Sequence, residues 1–365
     1  MTRRVALVSA VVLAVGCGTG PGPSSRQRTG AARAAITVAP NTVSCTSPAA
    51  TTFRSALCVC EDLDLVGHGV WVTSSDAREA STGVNGVTHV VGDTTFEGGL
   101  VAWGGVTGAG TLEVGGDLVT SADVTNVGTT RVEGDLWAGG DVETVGELAV
   151  GGLARVRGRL HHVGAEPHLV FGSYTAPAAP PCGCERSTVL DVAALVAAAR
   201  TDNDNARLGG LENVGELTLT LDGGRFYLPG LNSVGSLHLK VTKPSALFID
   251  GDFRTVGDDS LAVADGASLD LYVNGSLENV GRWSVSDDTL AGVVRLFVGG
   301  ADGMVQSVGT HDFVGALYAP TAPVELVGDA SFRGALFVKS LSGVGELTVD
   351  YAAPAMPEAS ACPAP

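Results

Sequence analysis

The sequence predicts an all-β chain wound into a β-solenoid of about a dozen coils. Two observations carry the prediction: a glycine on every sixth residue and a strict parity between apolar and charged positions. Glycine stands at 86, 92, 98, 104, 110 and 116, gives way to Ala122, and resumes at 128, 134, 140, 146, 152, 158 and 164. Six is even, so the spacing keeps the two faces of a strand in step from one turn to the next. Between Gly86 and Gly164 the even-numbered positions carry no Asp, Glu, Lys or Arg, and read Val90, Phe96, Leu100, Leu112, Leu118, Val132, Leu136, Leu148 and the like. All fourteen charges of the segment fall on odd positions, among them Asp93, Glu113, Arg131 and Asp141. A helix, with its 3.6-residue period, cannot produce that alternation.

Three six-residue sides make an 18-residue coil in this first block, 86–174. Stacking on that period sets Phe96 over Val114, Val132 and Val150, and Leu100 over Leu118 and Leu136. One coil cannot bury its apolar face alone, but stacked coils share a continuous core. Glycine suits the corners, where a Cβ would clash. A second block, 208–351, repeats less regularly. Its Val-Gly pairs end at Gly215, Gly235, Gly257, Gly281, Gly309, Gly328 and Gly345, so its coils carry loop insertions. At about 4.8 Å per stacked strand a dozen coils span on the order of 55–60 Å.

Between the blocks, 175–207 holds a proline-rich connection and a helix. The helix is predicted over Ser187–Arg200, with Ser187 or Thr188 as cap and Asp191 near the capping-box position, because Val189, Val192, Ala193, Val196 and Ala199 recur at helical spacing. It is expected to separate the two blocks and to pack across a side or an end of the solenoid.

The N-terminus reads as an export signal. Arg3 and Arg4 precede an eleven-residue apolar run, Val5–Val15, too short to span a bilayer. The run ends in Leu13-Ala14-Val15-Gly16-Cys17, which resembles the lipobox of bacterial lipoproteins, so residues 1–17 are expected to be a lipoprotein signal with Cys17 as the lipidation site. Residues 18–44 read as a flexible tether and 352–365 as a C-terminal tail. Formal charge is −17; without Arg3 and Arg4, 20 basic against 39 acidic residues leave −19. That argues against a nucleic-acid partner.

Six further cysteines, Cys45, Cys58, Cys60, Cys182, Cys184 and Cys362, make an even count that in an exported chain implies disulfides. Sequence leaves fifteen pairings open. The expected role is to pin the ends and mid-joint of the solenoid, with 45–85 as an N-terminal cap. The alternative is a four-thiolate metal site built from Cys58-Val59-Cys60 and Cys182-Gly183-Cys184.

No catalytic constellation is displayed, and no cofactor is implied. Asp202 and Asp204 are weak calcium candidates, because the sixth-position Gly and closing Glu of an EF-hand are missing. Asp258-Asp259 and Asp287-Asp288, with Asp250 and Asp252 nearby, keep a polysaccharide-binding or polysaccharide-cleaving β-helix in view. Adjacent acids on a strand point to opposite faces, and so do His161 and His162, so these pairs read as surface loop or structural residues. Trp103 and Trp137 fall on outward parity without forming one column.

Two resemblances follow from these residues. GTLEVGGDL and GTTRVEGDLWAGGDVETVGELAVGGLARVRGRL resemble the repeats of bactofilin-type polymer-forming proteins, which are β-solenoids that assemble end to end. The segments DVAALVAAARTDNDN, ASLDLYVNGSL, GALYAPTAPVEL and GALFVKSL within 182–351 resemble a domain of unknown function in predicted surface lipoproteins of myxobacteria and pilus-associated exported proteins. The expected function is therefore a rigid acidic rod in the bacterial cell envelope, anchored to the membrane through the lipid on Cys17, structural or adhesive and not catalytic. Its partners would be an envelope polysaccharide or protein. A self-assembling scaffold is the further alternative.

Overall fold

In the computed structural model the described residues are 53, 55–74, 80–174, 179–187, 189–204, 210–285 and 291–352. They form parallel coils, and the register bears out the 18-residue period: Gly92 pairs with Gly110, Gly110 with Gly128, Gly128 with Gly146 and Gly146 with Gly164. Phe96 sits over Val114, Val132 and Val150, and Leu100 over Leu118 and Leu136. Leu112, Leu118, Leu136 and Leu148 are buried, so the even parity does line the interior. The second block stacks on the same glycine column, with Gly215 against Gly235, Gly257 against Gly281, and Gly281, Gly309 and Gly328 in turn. Glycine is required there for two reasons. Gly146 sits at φ +126°, and a Cβ on it would overlap the carbonyl oxygen of Gly128 in the preceding coil.

The order of the coils in space differs from their order in the chain. The last coil, Leu341–Val344 and Leu347–Tyr351, does not end the stack. Leu63–Ser74 pairs with it on one side, Leu63 to Leu341 and Val72 to Val349, and with Thr88–Phe96 on the other. Leu57–Val59 likewise lies between Val324–Val338 and Thr82–Val84. The chain therefore enters the solenoid at its middle. It winds outward to His168–Phe171, crosses back to the opposite end, and winds inward from Leu211–Leu228 until Tyr351 closes on the first coil.

Two expectations are corrected by this arrangement. The connection does not separate the blocks, which stack directly on one another. Residues 57–74 and 82–84 are not a terminal cap but parts of an internal coil, with Leu57–Val59 and Leu63–Ser74 paired on both sides. The physical reason is that all coils share one cross-section. An unpaired strand edge exposes a row of N–H and C=O groups, and the edge of 341–351 satisfies them on 63–74.

The helix spans Val192–Ala199, shorter than predicted, and its cap is Asp191, whose Oδ1 accepts from the Ala194 N–H at 2.9 Å. The backbone ahead of Asp191 is engaged elsewhere: the Leu190 N–H donates to the Tyr318 hydroxyl at 2.7 Å. Val192, Val196 and Ala199 are buried against the second block. Beneath the crossing segment runs an aromatic column. Tyr227, Phe248, Tyr272, Phe297, Tyr318 and Phe337 are register partners in successive coils. Phe248, Tyr272 and Phe297 stack at 4.7 and 4.6 Å between ring centroids, and Tyr318 and Phe337 at 5.4 Å. These rings occupy the outward parity of strands whose inward residues fill the core, so this side is apolar on both faces.

Candidate functional site

The aromatic column continues in register from Phe337 to Cys58 and on to Gly83. There the crossing segment is fastened. Cys58 is bonded to Cys182 and Cys60 to Cys184. Asn85 adds two hydrogen bonds to Cys182, donating to its carbonyl and accepting from its N–H, each at 2.9 Å. The four sulfurs suggested as a thiolate metal site are thus consumed as two disulfides at the waist of the stack. Cys17, Cys45, Cys362, Asp287 and Asp288 lie outside the described residues.

At the far end of the crossing the calcium candidates are spent on Arg225. Asp202 pairs with its guanidinium at 2.8 Å, and Asp204 accepts from its backbone N–H at 2.7 Å. Asp250 pairs with Arg200 and accepts from the Tyr227 hydroxyl at 2.7 Å and from Asn274 Nδ2 at 3.1 Å. These contacts bind the end of the helix to the second block. Among the described residues no three His, Cys, Asp or Glu side chains converge as a metal site.

Many remaining acids have a structural task that the spacing encodes. Asp117 accepts from the Asp135 N–H, Asp135 from the Leu153 N–H, Asp123 from the Asp141 N–H and Asp141 from the Arg159 N–H, all at 2.6–2.8 Å and each one coil apart. Asp62 and Asp252 do the same for Val87 and Ser276. The bonds from Leu153 and Arg159 hold Asp135 and Asp141 below the ordinary aspartate pKa. The Gly-Asp corners are therefore ladders that tie coil to coil.

Asp258 and Asp259 do point to opposite faces, but they lie on the strand Phe253–Val263, not in a loop, and Asp259 is inside the core. It accepts from the Leu237 N–H at 2.9 Å and from Asn279 Nδ2 at 2.8 Å, and burial pushes its pKa up. His161 is exposed, whereas His162 turns toward Thr144 Oγ1 at 2.8 Å. Trp137 lies under the Arg155 guanidinium at 4.3 Å. Trp103 is half-buried.

Nothing in the residue pattern marks a second interior polar group. Asn279, Trp283 and His311 line a cavity of about 60 Å³ whose other walls include Leu261, Leu296 and Phe313. Trp283 Nε1 and Asn279 Oδ1 are buried without a hydrogen-bond partner. Neither nitrogen of the buried His311 reaches hydrogen-bond geometry, although the ring feels the Val308 carbonyl, and burial lowers its pKa. The cavity has an apolar wall broken by a few polar residues, Ser307 among them.

Residues 184–355, just under half of the chain, match the model of a family described as a domain of unknown function (DUF7305). Neither the curated proteins nor the solved structures contain a match. The matched segment begins at the second bridged cysteine of the crossing and covers the helix and the whole second block.

Proposed function

We propose that this chain is an exported, lipid-anchored element of a bacterial cell envelope whose acidic solenoid serves as a rigid structural or adhesive rod. The observation that carries the reading is the pair of bridges Cys58–Cys182 and Cys60–Cys184. They lock a crossing segment over the stack and make one stiff body of two blocks, and such bonds persist in oxidising compartments. The acid ladders and the aromatic column add stiffness without offering a reactive group. The chain both enters and leaves the stack at its middle, so an anchor at Cys17 would hold the rod side-on with both free edges clear. The test is Cys17→Ser. The wild-type chain is expected to take up labelled fatty acid and to sediment with membranes, and the variant to do neither. A wild-type chain that is unlabelled and free of membranes would overturn the anchor.

A self-assembling scaffold is the second reading, and a match between the two free edges favours it. One edge reads Leu160-His161-His162-Val163-Gly164 and the other Leu211-Glu212-Asn213-Val214-Gly215. Continuing the register of the stack from one molecule to the next would set Leu on Leu, Val on Val, Gly on Gly and His161 beside Glu212. Electron microscopy of the purified chain would show concentration-dependent filaments, lost in Val214→Lys.

A further inference from the structure

Each coil presents one outward residue immediately before its column glycine. It is valine in every coil except one, where it is Ala109. The register joins these residues without a break. Val214, Val234, Val256, Val280, Val308 and Val327 lead to Val344, which pairs with Val66 of the first block, and Val91, Ala109, Val127, Val145 and Val163 complete the line. The internal valines are 36–56% exposed. Rungs above and below cover part of each side chain, and the outer half has no cover among the described residues. The helix and the bridges lie over a different column. Strand propensity alone does not explain the choice, since threonine satisfies it as well. The outward column two residues earlier reads Glu212, Asn232, Arg254, Glu278, Gln306 and Glu325 in the second block, with Thr107 and Thr125 in the first. An apolar line kept beside a polar one marks an interaction surface.

We propose that a second copy of this chain docks on this line, side by side and antiparallel, valine against valine. A partner for the whole line must offer an apolar group every 4.8 Å or so along about 60 Å. A second copy has that repeat by construction, and a two-fold axis makes the contact self-complementary. The half-exposed valines offer on the order of 800 Å², which is what one partner contributes to a standard interface. The antiparallel sense follows from the flanking charges. With the axis at Val344, Glu212 meets His161, Glu278 meets Thr107 and Glu143 meets Asn232. Glu325 and Asp64 face each other as like charges, and Glu346 meets its own copy at the axis. Each copy carries −17, so the pair tightens as salt screens the repulsion, opposite to an interface held by ion pairs. The pairing is independent of export and of any end-to-end contact.

Sedimentation velocity of the purified full chain at several concentrations and two salt levels is the test. Dimers are expected, with a population that rises with salt. Val327→Glu with Val344→Glu is expected to leave only monomer with an unchanged circular dichroism spectrum, because both side chains point outward. A wild-type chain that stays monomeric throughout, or a Val327→Glu/Val344→Glu chain that dimerises as well as wild type, overturns the proposal. Mixed Val256→Cys and Val127→Cys chains are expected to cross-link to each other. Cross-linking of Val256→Cys chains only among themselves overturns the antiparallel sense.

Discussion

The Tyr351 hydroxyl donates to the Phe53 carbonyl at 2.9 Å across a sequence separation of 298 residues. This contact marks the seam where the end of the second block closes on the start of the first. Beyond it, in either direction, each coil stacks on the coils next to it in the chain.

The bridges should contribute through the unfolded state. Each spans 124 residues and the two close the same loop, so the loop opens only when both are cut. Replacing Cys58, Cys60, Cys182 and Cys184 together by Ala should cost about 2–4 kcal/mol in urea unfolding. Reductant should lower the midpoint of the wild-type chain toward that of the variant. An unmoved midpoint would mean that the crossing is held by the helix alone.

Close stacking and backbone conformation can be separated at two glycines. Gly215 has φ +118° and open space where a Cβ would stand, because no coil among the described residues lies beneath it. Gly235 has φ +124°, and its Cβ would overlap the Gly215 carbonyl. Gly215→Ala should cost about 1–2 kcal/mol of backbone strain. Gly235→Ala should cost clearly more, since the coils must also part. Equal losses in thermal unfolding would show that the close approach is unimportant.

Stability should fall with acid in two steps. Burial holds the folded His311 below the usual histidine pKa, so the unfolded chain binds the extra proton and stability is lost as pH drops below about 6.5. Asp135 and Asp141 are lowered by their ladder bonds, so their contribution is present at neutral pH and is lost below about pH 4. Asp259 acts oppositely: its raised folded pKa gives stability in acid that disappears as pH rises through that pKa. His311→Leu should flatten the step near pH 6, and Asp259→Asn should stabilise at pH 7 more than at pH 4. Melting temperatures across pH 3–8 check all three.

Val196→Asp should lift the crossing segment. Val196 is fully buried between helix and coils, and an unpaired carboxylate there should cost more than about 2 kcal/mol. Protease cleavage within 189–204 and dye binding to the uncovered aromatic column should both rise. No change in either would place the helix in a peripheral role.

What was legible and what was not divides along one physical line. Coil length and facing were readable because they are local: a glycine column and an alternation recur whichever coil lies next door. The order of coils was not, since 341–351 carries the same edge as any other coil and nothing in it names 63–74 as its neighbour. The helix was found but started too early, because the Leu190 N–H is taken by Tyr318, a tertiary partner that helical spacing cannot show. The aromatic column had a signal in Phe226-Tyr227-Leu228, Leu247-Phe248-Ile249, Leu271-Tyr272-Val273 and Leu296-Phe297-Val298, an aromatic between two aliphatic or aromatic core residues. Its distance from the column glycine varies with the loop insertions, which hid the repeat. The buried Asp259, Asn279 and His311 had no signal at all, since a polar residue of inward parity reads the same whether it fills a core or lines a loop.

Because synthesis delivers a chain from its first residue onward, the central layers of this molecule emerge long before their partners. Leu57–Ser74 then waits with one flank bare until residues 324–351 arrive to cover it. Maturation is therefore a race between closing that gap and capture of the bare flank by a stranger, and a helper that shields the early half would have most to do before the final turn is delivered.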